Sequence, residues 1–260
     1  MASERPLTLK GKLAIVTGAS RGLGADMAWN LACRGANVCL TYVSEKSTAA
    51  VQDLAARIQA LPHKPSAYVC RADVSTVEGP QQIIDHLLEA RGHNLAVNIL
   101  VNNAGVERVK SLAELSVDDY DAVFNLNVRG VILMTQTVLP YLQPKGRVIN
   151  ISSVAAREGF RDLGLYCASK AAVEGLTRVW ATELGHNGTT VNAVNPGPVQ
   201  TEMLDKIPKE IVNMQKQRTP VESRLGMPQE ISDIVSWLAG DESGWISGQA
   251  ISASGGYAMY

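Results

Sequence analysis

The chain has 260 residues, 46% of them hydrophobic and 19% charged, with Lys+Arg 24, Asp+Glu 25 and a formal net charge of -1. This length and composition suit one globular domain with a large core and exclude an intrinsically disordered chain. The near-neutral balance gives no electrostatic reason to expect nucleic acid or an anionic membrane as a partner. Cys33, Cys39, Cys70 and Cys167, like His63, His86, His93 and His186, lack metal-ligand spacing. No catalytic metal is therefore expected, and the cysteines read as small apolar residues in a reducing compartment. The start of the chain is polar, and no apolar run approaches the roughly 18 to 20 residues that a membrane helix needs. The expectation is a soluble, cytoplasmic protein.

Apolar strand-like runs alternate with helical stretches, which predicts a parallel sheet covered on both faces. Leu13 to Thr17 reads as the first strand, and the cluster Gly18-Ala19-Ser20-Arg21-Gly22-Leu23-Gly24 opens a helix to about Arg34. Asn37 to Tyr42 is the second strand, followed by a helix from about Thr48 to Ala60 and a third strand over Ala67 to Cys70. Pro80 to about Ala90 predicts a helix, and Asn98 to Val101 a fourth strand. Ser116 suits the N-cap of a long helix from Val117 to about Leu142, with Pro140 in its last turn. Arg147 to Ile151 is the fifth strand, Leu165 to Leu184 a long helix, and Val191 to Val194 the sixth strand. A polar stretch from about Thr201 to Ser223 precedes a helix from Gln229 to about Ala239 and a seventh strand over Ala250 to Ser252. Two βαβαβ halves make a doubly wound α/β sheet, whose ligands bind beyond the carboxyl ends of the strands.

Every chemistry-bearing motif falls at those ends. Gly18, Gly22 and Gly24 follow a strand and open a helix, so the backbone can approach a pyrophosphate closely and offer it free N–H groups. Ser20, Arg21 and Leu23 belong to the same turn. The end of the second strand reads Tyr42-Val43-Ser44, with no carboxylate before Glu45. An acid there would bind ribose hydroxyls and repel a 2′-phosphate. With Arg21 as a cation and Ser44 as a donor, the pattern favours NADPH over NADH. Tyr166 and Lys170 are spaced to share one helix face. A free phenol has a pKa of about 10; a neighbouring ammonium, with oxidised nicotinamide, is expected to lower it and make Tyr166 a working acid-base group.

Thr17-Gly18-x-x-x-Gly22-x-Gly24, Ala72-Asp73-Val74, Asn102-Asn103-Ala104-Gly105, Tyr166-x-x-x-Lys170 and Asn195-Pro196-Gly197 occur in this order. From about Leu7 to Gly256 the chain resembles the short-chain dehydrogenase/reductase family. Gly244-Trp245-Ile246-Ser247-Gly248 and the Tyr42-to-Ser44 strand end carry a narrower similarity to 3-oxoacyl-carrier-protein reductases and polyhydroxynaphthalene (polyketide) reductases. The resemblance implies a single Rossmann-like domain over residues 7–260, with a seven-stranded parallel sheet and helices on both faces. It implies Asp73 and Val74 at the adenine, and Asn103, Ala104 and Gly105 along the cofactor, with Asn103 also able to tie neighbouring strands. Pro196, Gly197, Val199 and Thr201 would hold the nicotinamide end, with Tyr166 and Lys170 also beside the cofactor. Ser153 would position the substrate carbonyl, and Asn127 would hold a water connecting Lys170 to solvent. The family often has an acid before its last glycine pair, where this chain has Ser254-Gly255-Gly256.

Residues 200–222, flanked by Pro208 and Pro220, read as a mobile substrate lid or a surface connection. Phe160, Leu163, Leu165 and Met203 could floor the substrate site, and Arg157 and Arg161 could meet an anion or face water. The expected activity is NADPH-dependent reduction of a polyketide-like, aromatic or acyl ketone to a secondary alcohol. The alternatives are non-redox chemistry on the same fold, by dehydration or cyclisation, and a regulatory dinucleotide-binding protein. The family also implies a homotetramer or homodimer joined through the paired long helices, with a small molecule as the other partner.

Overall fold

Strand alternation divides the buried side chains between the two faces of a sheet, and the computed structural model, which describes residues 6–202 and 207–260, follows that division. The strands are β1 (Leu13–Val16), β2 (Asn37–Tyr42), β3 (Ala67–Arg71), β4 (Val97–Asn102), β5 (Leu142–Ile151), β6 (Thr190–Pro196) and β7 (Ala250–Ala253). They form one sheet in the order β3-β2-β1-β4-β5-β6-β7, and each neighbouring pair is parallel. Helices α1 (Gly22–Cys33), α2 (Thr48–Gln59) and α8 (Pro228–Leu238) pack on the face that receives Ala14, Val16, Val38 and Leu40. On the opposite face, α3 (Gly79–Arg91), α5 (Val131–Val138) and α6 (Gly164–Leu184) cover Leu13, Ile15, Leu100 and Val148. Each large apolar side chain buried this way stabilises the fold by about 1.5–3 kcal/mol relative to exposure. The strand order reverses between β1 and β4, so their carboxyl ends open a crevice.

A buried polar knot fixes α1 on α8. Asn30 Nδ2 donates to Ser232 Oγ (3.0 Å) and Asp233 Oδ1 (2.8 Å), while Ser236 Oγ donates to Asn30 Oδ1 (3.0 Å). The N-cap expected at Ser116 is present: its Oγ accepts from the Asp119 N–H (3.2 Å), and Asp119 Oδ2 accepts from the Ser116 N–H (3.0 Å). The helix that it opens departs from the expected single rod. It runs as α4 (Val117–Phe124), widens into a π segment (Asn125–Gly130), and resumes as α5.

Its end also differs, because Pro140 lies in a terminal 3₁₀ turn (Leu139–Tyr141) and Leu142 already pairs with Val97 in the sheet. Proline cannot continue the α-helical bond ladder, so β5 starts earlier than its apolar run suggests. The rod from Val117 to Tyr141 is long and apolar enough, at mean hydropathy 1.2, to pass a membrane-helix test that the sequence reading had expected no segment to meet. Its middle and end pack on β4, β5, α3 and α6, and Val123, Val131, Met134 and Val138 are buried there. The polar stretch after β6, for which no element is expected from the sequence, contains a helix, α7 (Lys209–Arg218).

Candidate active site

The turn from β1 into α1 delivers the chain to a helix N-terminus, where unpaired N–H groups and the helix dipole favour an anion. A Cβ on Gly24 would overlap the Gly18 carbonyl oxygen and crowd Asn103 Nδ2, so only glycine lets helix and turn approach this closely. Asn103 closes the other side, its Nδ2 donating to the carbonyls of Thr17 (2.8 Å) and Gly18 (3.1 Å). Thr17 Oγ1 in turn accepts from the N–H groups of Asn103 (2.9 Å) and Ala104 (3.0 Å). The tying role of Asn103 is therefore occupied, and its neighbours Ala104 and Gly105 continue into the crevice. Ser20 and Leu23 lie in and just after the turn, half-buried.

At the end of β2, Tyr42 is buried, with its hydroxyl 3.1 Å from Thr48 Oγ1. Ser44 follows as an exposed residue before a 3₁₀ turn. Arg21 caps α1 and reaches Glu202 Oε2 at 3.9 Å, an exposed pair of little energetic weight. The sequence reading missed Arg71. Its Nε donates to the Val43 carbonyl (2.9 Å) and its Nη1 lies 3.5 Å from Glu45 Oε2, placing a second cation beside the β2 end. A basic residue closing the strand next to β2 was the available signal. Asp73 turns one oxygen to the Ser75 N–H (2.9 Å), and Val74 is buried. Across the crevice, Pro196 ends β6, Gly197 donates to Ala253 O (3.1 Å), and Val199 is buried in a bridge to Gly226. Thr201 is half-buried at the edge of the described segment.

Ser153, Tyr166 and Lys170 meet where β5 passes into α6. Ser153 caps a short 3₁₀ turn, its Oγ accepting from the Ala155 N–H (3.1 Å). Lys170 is buried, its Nζ donating to Ile151 O (2.8 Å) and lying 5.7 Å from the Tyr166 ring centre. Burial drops the Lys170 pKa from its usual 10.5 to about 8, because a charged amine loses hydration there. For Tyr166 the protein's own groups act opposite to the lowering expected with oxidised nicotinamide beside it. Burial is the largest cause and pushes the phenol from 10 up to about 12, while the hydrogen bond with Ser153 pulls it down and the charge of Glu107 raises it. The loss of hydration of the phenolate outweighs the lowering by the Ser153 hydrogen bond. Ser152 donates to the Lys170 main-chain oxygen (3.1 Å), on the structural side of the strand.

Asn127 sits in the π segment and is fully buried. Its Oδ1 accepts from the Val106 N–H (2.9 Å), and its Nδ2 donates to Val106 O (2.8 Å) and Ser169 Oγ (3.0 Å). The Asn127 side-chain amide is thus committed to the loop after β4 and to Ser169. A Cβ added to Gly105 would stand 3.4 Å from Lys170 Nζ and 3.3 Å from Asn127 Oδ1, so that loop runs directly along these two side chains.

The outer wall holds a network not visible in the motifs. Arg157 donates to Glu174 Oε2 (2.8 Å) and stacks 4.3 Å from the Tyr260 ring centre. Arg157 remains partly open to water while its guanidinium is held in the wall by Glu174 and Tyr260. Arg161 is exposed, 3.7 Å from Asp162 Oδ2. Phe160 stacks on Tyr257 at 6.4 Å, and Arg218, the last residue of α7, covers the other side of Tyr257 at 4.6 Å. Leu163 and Leu165 bracket the first residue of α6 and are half-buried. Met203 lies outside the described residues, as do residues 204–206 of the expected lid.

Residues 18–258 match a family model described as enoyl-(acyl carrier protein) reductase. The short-chain dehydrogenase/reductase FrzI of Cladobotryum sp is 41% identical over 258 residues, covering 96% of this chain and 97% of that one. The hydroxynaphthalene reductase-like protein Arp2 of Metarhizium majus is 38% identical, covering 98% of each chain. A crystal structure of a short chain dehydrogenase from Burkholderia cenocepacia in complex with NADP is 37% identical, with a TM-score of 0.87 and coverage of 96% of this chain and 99% of that one. With its phosphate turn, its Tyr-Lys pair on α6 and these relatives along nearly its whole length, the chain belongs to the short-chain dehydrogenase/reductase family of oxidoreductases.

Proposed function

We propose that this protein reduces a ketone to a secondary alcohol with NADPH, using Tyr166 as the general acid. The observation that carries the reading is the meeting of half-buried Ser153 and Tyr166 with buried Lys170 where β5 passes into α6. The residues fit the cofactor: the glycine turn leaves a backbone cradle that a side chain would fill, and Arg21, Ser44 and Arg71 offer donors near the β2 end. The NADP held by the Burkholderia relative and the reductase named in the Metarhizium relative support the same assignment. Asp73 and Val74 would take the adenine, Asn103 to Gly105 the middle, and Pro196, Gly197, Val199 and Thr201 the nicotinamide end.

When bound, reduced nicotinamide supplies the hydride that becomes the carbinol C–H bond. Ser153 donates to the carbonyl oxygen and steadies its growing negative charge. Tyr166, protonated at neutral pH because burial raises its pKa to about 12, gives that oxygen its proton. Lys170, with its pKa near 8, positions the tyrosine and returns a proton to it. A water held at Asn127 would relay that proton from solvent, while the Asn127 side-chain amide stays bonded to Val106 and Ser169. Residues 200–222, which include α7, would close over the substrate. The assembly would be a homotetramer.

Purified protein with NADPH and a panel of aryl and acyl ketones tests the reading by loss of reduced-cofactor absorbance and appearance of the alcohol. Tyr166→Phe should lower kcat by about 10²–10⁴-fold with cofactor affinity retained. Loss of both together, or no ketone consumed by the wild type, would overturn the assignment.

A further inference from the structure

Glu107 is the acid that the catalytic trio does not use, two residues beyond Gly105 on the loop after β4. Asn127 grips the Val106 peptide at both its N–H (2.9 Å) and its C=O (2.8 Å), so the position of the next residue is fixed by a catalytic-site side chain. Glu107 is half-buried. Two cations follow it on the same loop, but Lys110 Nζ and Arg108 Nε both turn to Asp119, at 2.7 and 3.8 Å. Lys170, at the floor of the site, donates to the Ile151 carbonyl. Among the described residues the Glu107 carboxylate has no ion pair and accepts no hydrogen bond, while its main-chain oxygen accepts from Arg108. Loss of hydration raises its pKa, and its charge acts on the Tyr166 phenol.

A partly dehydrated carboxylate without donors is costly unless a ligand supplies them, and a positively charged donor does so best. An anionic group brought to the same place meets repulsion in a medium of low dielectric. We infer that Glu107 is a specificity-determining residue that selects ketones bearing a protonated amine and disfavours keto acids. This inference rests on the ketone-reductase reading above and names its substrate class.

The test uses acetophenones carrying an aminomethyl group at the meta or para position, with their ethyl isosteres and carboxymethyl counterparts. For wild-type protein with NADPH, kcat/KM should favour the amine over the ethyl compound by about tenfold or more, the scale of a hydrogen bond to a charged group, and the ethyl over the carboxylate. In Glu107→Gln the amine-to-ethyl ratio should fall toward one, and Glu107→Asp should restore part of it. Calorimetric binding of the corresponding amino alcohol and its ethyl isostere to the NADP-loaded protein gives a readout that does not need turnover. A wild-type ratio near one, or a ratio that survives Glu107→Gln in both measurements, overturns the inference even if ketones are reduced. Absence of reduction with any ketone instead overturns the reading beneath it, and the binding ratio then still decides the role of Glu107.

Discussion

Lys170 and Tyr166 are shifted in opposite directions by the same cause, since burial favours the neutral form of each: it lowers the amine to about 8 and raises the phenol to about 12. For Lys170 the sign is fixed. The unfolded chain holds its proton up to about 10.5 while the folded chain releases it near 8, so stability rises with pH across that window. The interval corresponds to about 3 kcal/mol. Denaturant unfolding of the cofactor-free protein should show wild type gaining that amount over Lys170→Met between pH 7.5 and 10.5, and a flat difference would contradict the burial of the amine. The motif residues were legible because their spacing alone forces them to strand ends and one helix face. The environment of Tyr166 was not. Its pKa depends on depth and on Glu107, which lies 59 positions earlier in the chain, and no spacing rule reports that.

At the level of elements, the Ser116–Asp119 capping box holds the start of the rod whose π segment carries Asn127. Ser116→Ala removes the acceptor for the Asp119 N–H and the hydroxyl bonded to its carboxylate at 2.7 Å. A loss of about 1 kcal/mol is expected, read as a fall in Tm of about 2–4 °C, and an unchanged Tm would show the box to be idle. The cap could be read from the sequence because Ser and Asp at N-cap and N3 have a local cause. The π segment could not, since the residues Asn125 to Gly130 fit an ordinary helix and the insertion is set by packing against α6 and the loop after β4. Helix α7 was missed for another reason: it buries no residue and so shows no apolar stripe.

For the whole molecule, the doubly wound sheet of seven parallel strands was legible because seven apolar runs separated by helical lengths allow few other arrangements. The outer wall was not, because Tyr257 and Tyr260 reach it from the end of the chain to meet Arg218 and Arg157. Helices α4 and α6 leave Val117, Tyr120 and Val179 exposed, an apolar surface that a four-fold assembly would cover. Light scattering should give four times the mass of one chain. A monomeric mass would refute the proposed assembly and leave the chemistry standing.

The amide of Asn30 lies in the helix that begins at the phosphate turn, yet the hydroxyl that it grips belongs to a residue 202 positions later. During translation that helix therefore waits for its neighbour until most of the polypeptide has left the ribosome. A nascent chain stopped before Pro228 would keep one flank of α1 and one face of β5 and β6 open to water and to chaperones.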